Sequence, residues 1–230
     1  MSAERASAPA LEARGLTRVL PGPVPVTLVE NATFSVHKGE LVAVTGPSGS
    51  GKSSLLYLLG LLDAPSSGQI WIEGRDAGTL DSEEQARVRL ARLGFVFQFH
   101  FLLEEFDVLA NVMLPMRKLG RLSPADMRAR AEAILSDFGL ADQMLKYPSQ
   151  LSGGQRQRVA VARALANDPA VVLADEPTGN LDSANALAVF EIFRRLARDQ
   201  GRTLVVTHEQ DLAAMANRKI HMIDGRIVTT

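Results

Sequence analysis

Residues Gly46 to Ser53 read GPSGSGKS and match G-x-x-x-x-G-K-[ST] between an apolar run that ends at Thr45 and an apolar stretch that follows. Glycines at these places let the backbone bend so that successive N–H groups point inward, and a helix starting there adds its positive dipole end. Lys52 then supplies a point charge for outer phosphates, and Ser53 supplies a hydroxyl for Mg²⁺, a hard cation that prefers oxygen ligands. The chemistry is that of a nucleoside triphosphate bound with magnesium. Further along, VVLADE sets Asp175 and Glu176 side by side, where two carboxylates repel unless they have separate tasks. Asp175 is expected to hold the magnesium hydration shell and Glu176 to take a proton from an attacking water. His208 follows TLVVT and is expected to contact the γ-phosphate. His37 and His221 read as strand-face or surface residues.

These residues share a position in the pattern. Four apolar runs, LVAVT (41–45), GFVF (94–97), VVLA (171–174) and TLVVT (203–207), each stop abruptly at polar residues. Such runs suit strands buried on both faces, as in a parallel sheet covered by helices. Ligands of open α/β sheets bind beyond the carboxyl ends of the strands, where GPSGSGKS, Gln98, Asp175 with Glu176, and His208 all fall. Ser123 and Pro124 read as the N-cap and first residue of a helix that stops at Gly139. ATFSVHKGE and GQIWIEG alternate like antiparallel strands, so a small β layer is expected beside the sheet. PGPVP (21–25) is a turn or loop, and Asp224-Gly225 within IHMIDGRIV is a hairpin turn.

The 230 residues are 46% hydrophobic and carry 25 basic against 26 acidic side chains, so no field favours nucleic acid or acidic lipid. The chain has no cysteine, which suits a reducing compartment. Its strongest apolar run, Leu55 to Leu62, is far short of the roughly 20 residues of a membrane span. Residues 1–9 are expected to be a disordered tail before one domain, 10–230.

LSGGQRQ (151–157) introduces the helix RVAVARALA. Ser152 and Gln155 have the spacing of a capping box, yet Gly153 and Gly154 are costly in a first helical turn unless something approaches the backbone closely. LSGGQ, with GPSGSGKS before it and VVLADEP after it, resembles the nucleotide-binding subunit of an ABC transporter over nearly the whole chain. The resemblance implies an α/β fold, a P-loop NTPase cassette with a RecA-like parallel-sheet core, an antiparallel β subdomain and a helical subdomain at about 99–150. It implies ATP as the nucleotide, held by Gly46, Pro47, Ser48, Gly49, Ser50, Gly51, Lys52, Ser53 and Ser54. It also implies a head-to-tail pair, in which Ser152, Gly153, Gly154 and Gln155 of one copy complete the site of the other and Asp182 communicates across the pair. Gln98 matches the glutamine that touches magnesium and the attacking water, which makes the metal set Ser53, Gln98 and Asp175. Catalysis then rests on Glu176, His208, Gln98 and Lys52.

The short interval between Ser53 and Ser152 leaves no room for the coiled coils of ABC-type repair ATPases, and no N-K-x-D motif suggests a GTPase. FQFHFLLEEFDVLANV, YPSQLSGGQRQRVAVARALANDPAVVLADEPTGNLD and VVTHEQDLAAMANRKIHMIDGRI resemble the lipoprotein-releasing group of this family. MacB-like efflux, FtsE-like cell division and a soluble ABC ATPase are the alternatives. The resemblance implies a peripheral place on the cytoplasmic face of a bacterial inner membrane, beneath integral subunits. Leu20 stands where the family usually has an aromatic that stacks on adenine, and Phe101, Glu104 and Ala110 depart from the group's pattern. The segment FVFQFHFLLEEF (95–106) holds five of the nine Phe. Phe95 and Phe97 are expected in the strand, with Gln98 ending it. Phe99, Phe101, Leu102, Leu103 and Phe106 are expected to form a groove for a membrane subunit.

Overall fold

The structure is a computed structural model that describes residues 8–198, 203–207, 213–214 and 216–229. Most of the expected tail and the whole His208 segment lie outside the described residues. A six-stranded sheet has the order β10-β9-β3-β8-β7-β6. It contains β3 (Leu41–Thr45), β6 (Leu93–Val96), β7 (Val171–Ala174), β8 (Thr203–Thr207), β9 (Arg218–Ile223) and β10 (Arg226–Thr229). Neighbours from β9 to β6 run parallel, and β10 closes the edge as an antiparallel hairpin. The Asp224-Gly225 turn has φ of 46° and 79°, the mirror-image geometry that a two-residue hairpin needs.

Burial along the strands explains their unbroken apolar runs. In β3 and β7, Val42, Val44, Val171 and Leu173 belong to one hydrophobic cluster, while Leu41, Val172 and Ala174 belong to a second on the other face. The first cluster lies beneath an antiparallel sheet of order β2-β1-β4-β5 and against α1 (Lys52–Leu59). That sheet comprises β1 (Leu11–Leu20), β2 (Val26–Val36), β4 (Ser67–Ile72) and β5 (Arg75–Asp76). The second cluster is covered by α3 (Val108–Leu119), α4 (Pro124–Asp137), α5 (Gly153–Leu165) and α6 (Ser183–Arg198).

Local chemistry sets the helix limits. Asp81 and Glu84 form a capping box at the start of α2 (Ser82–Arg92), and Asp107 caps α3. Ser123 caps α4 with Pro124 as its first residue. The stop at Gly139 has φ 66°, with Gly139 N–H bonded to Ser136 O at 3.0 Å and Leu140 N–H to Leu135 O at 2.8 Å. These are the paired bonds of a Schellman stop, which favours glycine at the left-handed position. The strand expected over 94–97 instead covers 93–96. Phe97 leaves the sheet because its carbonyl accepts a hydrogen bond from Gln157 Nε2 at 2.9 Å instead of from a neighbouring strand.

Candidate functional site

The phosphate loop connects β3 to α1, and its glycines are fixed by backbone geometry. Gly46, Gly49 and Gly51 have φ of 143°, 80° and 94°, all in the region that favours glycine. A Cβ at Gly46 would fall 2.2 Å from Met222 O, and one at Gly51 2.1 Å from Leu28 O, so both sheets press on the loop. Pro47, Ser48 and Gly49 are exposed, whereas Ser50 and Lys52 are buried. Lys52 Nζ donates to Gly46 O at 3.0 Å and Pro47 O at 2.8 Å, which holds its charge against the loop. Ser50 Oγ is buried without a hydrogen-bond partner among the described residues. Ser54 lies beside Ser53 in the first turn of α1.

Ser53 reaches across to the end of β7. Its Oγ donates to Asp175 Oδ1 at 3.0 Å, bringing together two residues 122 positions apart. Asp175 is itself seated by its N–H on Val96 O at 2.9 Å. Glu176, next in sequence, has φ 45°, a strained conformation for a residue with a side chain. Gln98 Nε2 donates to Asn180 Oδ1 at 3.2 Å, which ties the segment after β6 to the turn after β7. Tyr57 of α1 also enters this group. Burial and the facing Asp175 carboxylate push its phenol above the ordinary value of 10.0. Tyr57 stands in no sequence motif, because its partner Asp175 is remote along the chain.

At the start of α5 the capping box is present. Gln155 N–H donates to Ser152 Oγ at 3.2 Å, and Ser152 N–H to Gln155 Oε1 at 2.9 Å. The two glycines differ. A Cβ at Gly153 would meet only Leu181 Cδ2 at 3.6 Å, but one at Gly154 would lie 2.7 Å from Asn185 Cβ and closer still to its amide. For Gly154 the close approach therefore comes from its own chain. Asn185 is in turn held by Asp182, whose carboxylate accepts from Asn185 N at 3.0 Å and Nδ2 at 2.7 Å. Those bonds hold the Asp182 carboxyl below its usual range. Asp182 thus caps α6 while fixing the residue that abuts Gly154.

The aromatic segment beyond Gln98 has no regular structure until α3. Phe99, Phe101 and Leu103 are 62%, 61% and 44% exposed, which leaves them free to meet another surface. Leu102 is 7% exposed and packs in the core with Val108, so it leaves the expected groove set. The alternation turns it inward between its exposed neighbours. Phe106 is half-buried. Asn111 is fully buried and organises the segment: its Nδ2 donates to Leu103 O, Phe106 O and Asp107 O at 2.9 to 3.0 Å, and its Oδ1 accepts from Leu103 N at 2.9 Å. Phe101 has φ 46°, and Arg163 holds this turn by donating to Phe101 O at 2.7 Å and His100 O at 2.8 Å. Leu20 is exposed at the end of β1.

A glycine-bound phosphate loop at one parallel strand end, with an acidic pair at another, defines a P-loop nucleoside triphosphatase. The profile of a family described as "ABC transporter" matches residues 29–179. The lipoprotein-releasing system ATP-binding protein LolD 1 of Chlorobium chlorochromatii is 49% identical over 87% of this chain and 82% of its own. LolD of Aquifex aeolicus is 45% identical over 95% of this chain and 96% of its own. Among solved structures, the ATP-binding cassette MJ0796 in a dimeric post-hydrolysis state bound to ADP and Pi has a TM-score of 0.87. It is 36% identical over 95% of this chain and 96% of its own. The chain belongs to the ABC transporter family and is an ATP hydrolase with the ABC cassette fold. No helix among the described residues is long and apolar enough to cross a membrane.

Proposed function

We propose that this chain is the ATPase subunit of a lipoprotein-releasing transporter, peripheral on the cytoplasmic face of a bacterial inner membrane. The observation that carries this reading is near full-length similarity to LolD proteins of two different organisms. Two copies associate head to tail beneath integral membrane subunits, in keeping with the dimeric form in which the MJ0796 cassette is described. Exposed Phe99, Phe101 and Leu103, with Phe106 beside them, form the surface those subunits meet.

The site chemistry follows from the residues present. The loop amides from Gly46 to Ser54 surround the phosphates of ATP, and Lys52 offsets their outer charge. Magnesium suits the donor set, because Ser53 Oγ and Asp175 Oδ1 are hard oxygens 3.0 Å apart and Gln98 adds an amide oxygen. An ion held by these residues would neutralise negative charge on the outer phosphates. Gln98 orients the attacking water, and Glu176 takes its proton. His208 contacts the γ-phosphate. Ser152, Gly153, Gly154 and Gln155 of the partner subunit cover the same phosphate, so hydrolysis requires closure of the pair.

The test uses Glu176→Gln with ATP and magnesium, purified from membranes of the source cell. The variant is expected to bind ATP, to lose hydrolysis by about a hundredfold or more, and to be trapped as a dimer with integral subunits that carry lipoprotein. A monomer with undiminished turnover overturns the paired mechanism. A homodimeric efflux partner overturns lipoprotein release.

A further inference from the structure

Gln98 carries a side-chain amide whose two ends have nearly the same shape, yet only one of them can serve a cation. The oxygen accepts and can bind a hard metal ion, whereas the N–H end donates and repels it. Which end is presented depends on the groups around the amide. The turn after β7 supplies them, 82 positions along the chain.

That turn is held by its own backbone, with Gly179 N–H bonded to Glu176 O at 3.1 Å and Leu181 N–H to Thr178 O at 2.9 Å. It presents the exposed Asn180 to Gln98. Asn180 Nδ2 donates to the backbone oxygen of Gln98 at 3.4 Å, and Gln98 Nε2 donates to Asn180 Oδ1 at 3.2 Å. A backbone oxygen can only accept, so Asn180 must turn its nitrogen toward it. Its Oδ1 then faces the Gln98 side chain and selects the Nε2 end. The Oε1 end accepts no hydrogen bond among the described residues. Gln98 Nε2 also lies over Gly179, 3.2 Å from where a Cβ would stand, so a side chain there would crowd it. We propose that Asn180 is a positioning residue for ATP hydrolysis, which fixes the Gln98 amide with its oxygen available to magnesium. The inference rests on the proposed place of Gln98 in the magnesium set and adds what orients it there.

The test reads magnesium binding instead of turnover, in the full chain carrying Glu176→Gln so that ATP persists. The quantity is ATP affinity with magnesium divided by ATP affinity in EDTA, a ratio in which any general loss of nucleotide binding cancels. Gln98→Ala should lower that ratio about tenfold, and Asn180→Ala should lower it by about as much. In the Gln98→Ala background, Asn180→Ala should cost nothing further, because the two residues act as one unit. In the nucleotide-free chain, Asn180→Ala should also shift the ¹⁵N signal of the Gln98 side-chain amide. If Gln98→Ala leaves the ratio unchanged, Gln98 is not a magnesium ligand, and its proposed role falls together with this inference. If Gln98→Ala lowers the ratio but Asn180→Ala does not, the role of Gln98 stands and Asn180 as its positioner is overturned. An equal loss from Asn180→Ala in both backgrounds, or an unmoved Gln98 amide signal, also overturns the proposal.

Discussion

At the residue scale the site depends on single side chains that serve two elements at once. Ser53 on α1 and Asp175 after β7 meet at 3.0 Å, so the same contact joins the phosphate loop to the acidic pair. His100 has a comparable place between the aromatic segment and α5. Burial lowers its pKa from the ordinary 6.5, Arg156 and Arg163 lower it further, and Glu104 opposes them. Its folded value is depressed, so below 6.5 the unfolded chain binds more protons than the folded chain does. Stability from neutral His100 is therefore full above 6.5 and is lost as pH falls toward the folded value. Melting temperatures from about pH 7.5 to about pH 5.5 should fall more steeply for the wild type than for His100→Gln. Equal slopes would mean that His100 is not desolvated.

At the element scale, the two glycines that open α5 have separate reasons. Gly154 packs against Asn185 at the start of α6, where even a methyl group overlaps the Asn185 Cβ. Gly154→Ala should destabilise the isolated chain by about 1–3 kcal/mol, read as a lower melting temperature. Gly153 has ordinary room within its own chain. Gly153→Ala should therefore leave the melting temperature unchanged or slightly raised, because alanine suits a helix better. Under the proposed paired mechanism its ATPase rate should nevertheless fall, because in that mechanism the backbone of Gly153 approaches the nucleotide of the partner subunit. A Gly153→Ala chain with full activity would remove that residue from the paired site. The same contrast separates α5 as a packed helix from α5 as a binding element.

At the scale of the whole molecule, one sheet carries two kinds of surface. Its strand ends hold the phosphate loop and Asp175, and the segment leaving β6 carries Gln98 and then the exposed rings. Gln157 and Arg163 of α5 hold Phe97, His100 and Phe101 by their carbonyls. The proposed docking surface and the LSGGQ end of α5 are therefore joined by one helix. If the active form is a pair, the hydrolysis rate per chain should rise with chain concentration before it levels off. A rate per chain that is constant on dilution would point to a solitary soluble ATPase.

Much of the fold and site was legible because its causes are local. The phosphate loop, the Schellman stop at Gly139, the Asp224-Gly225 turn and the N-caps at Ser123 and Ser152 each need particular residue types within a few positions. Continuous apolar runs likewise marked β3 and β7, because burial on both faces leaves no place for polar alternation. Tertiary structure alone decided which distant groups meet. It turned Leu102 inward and ended β6 through Gln157. It brought Asn185 against Gly154, and it set Asn180 against Gln98. These outcomes depend on contacts across tens of residues, where spacing along the chain carries no signal, whereas caps, turns and phosphate loops are set by neighbouring backbone geometry.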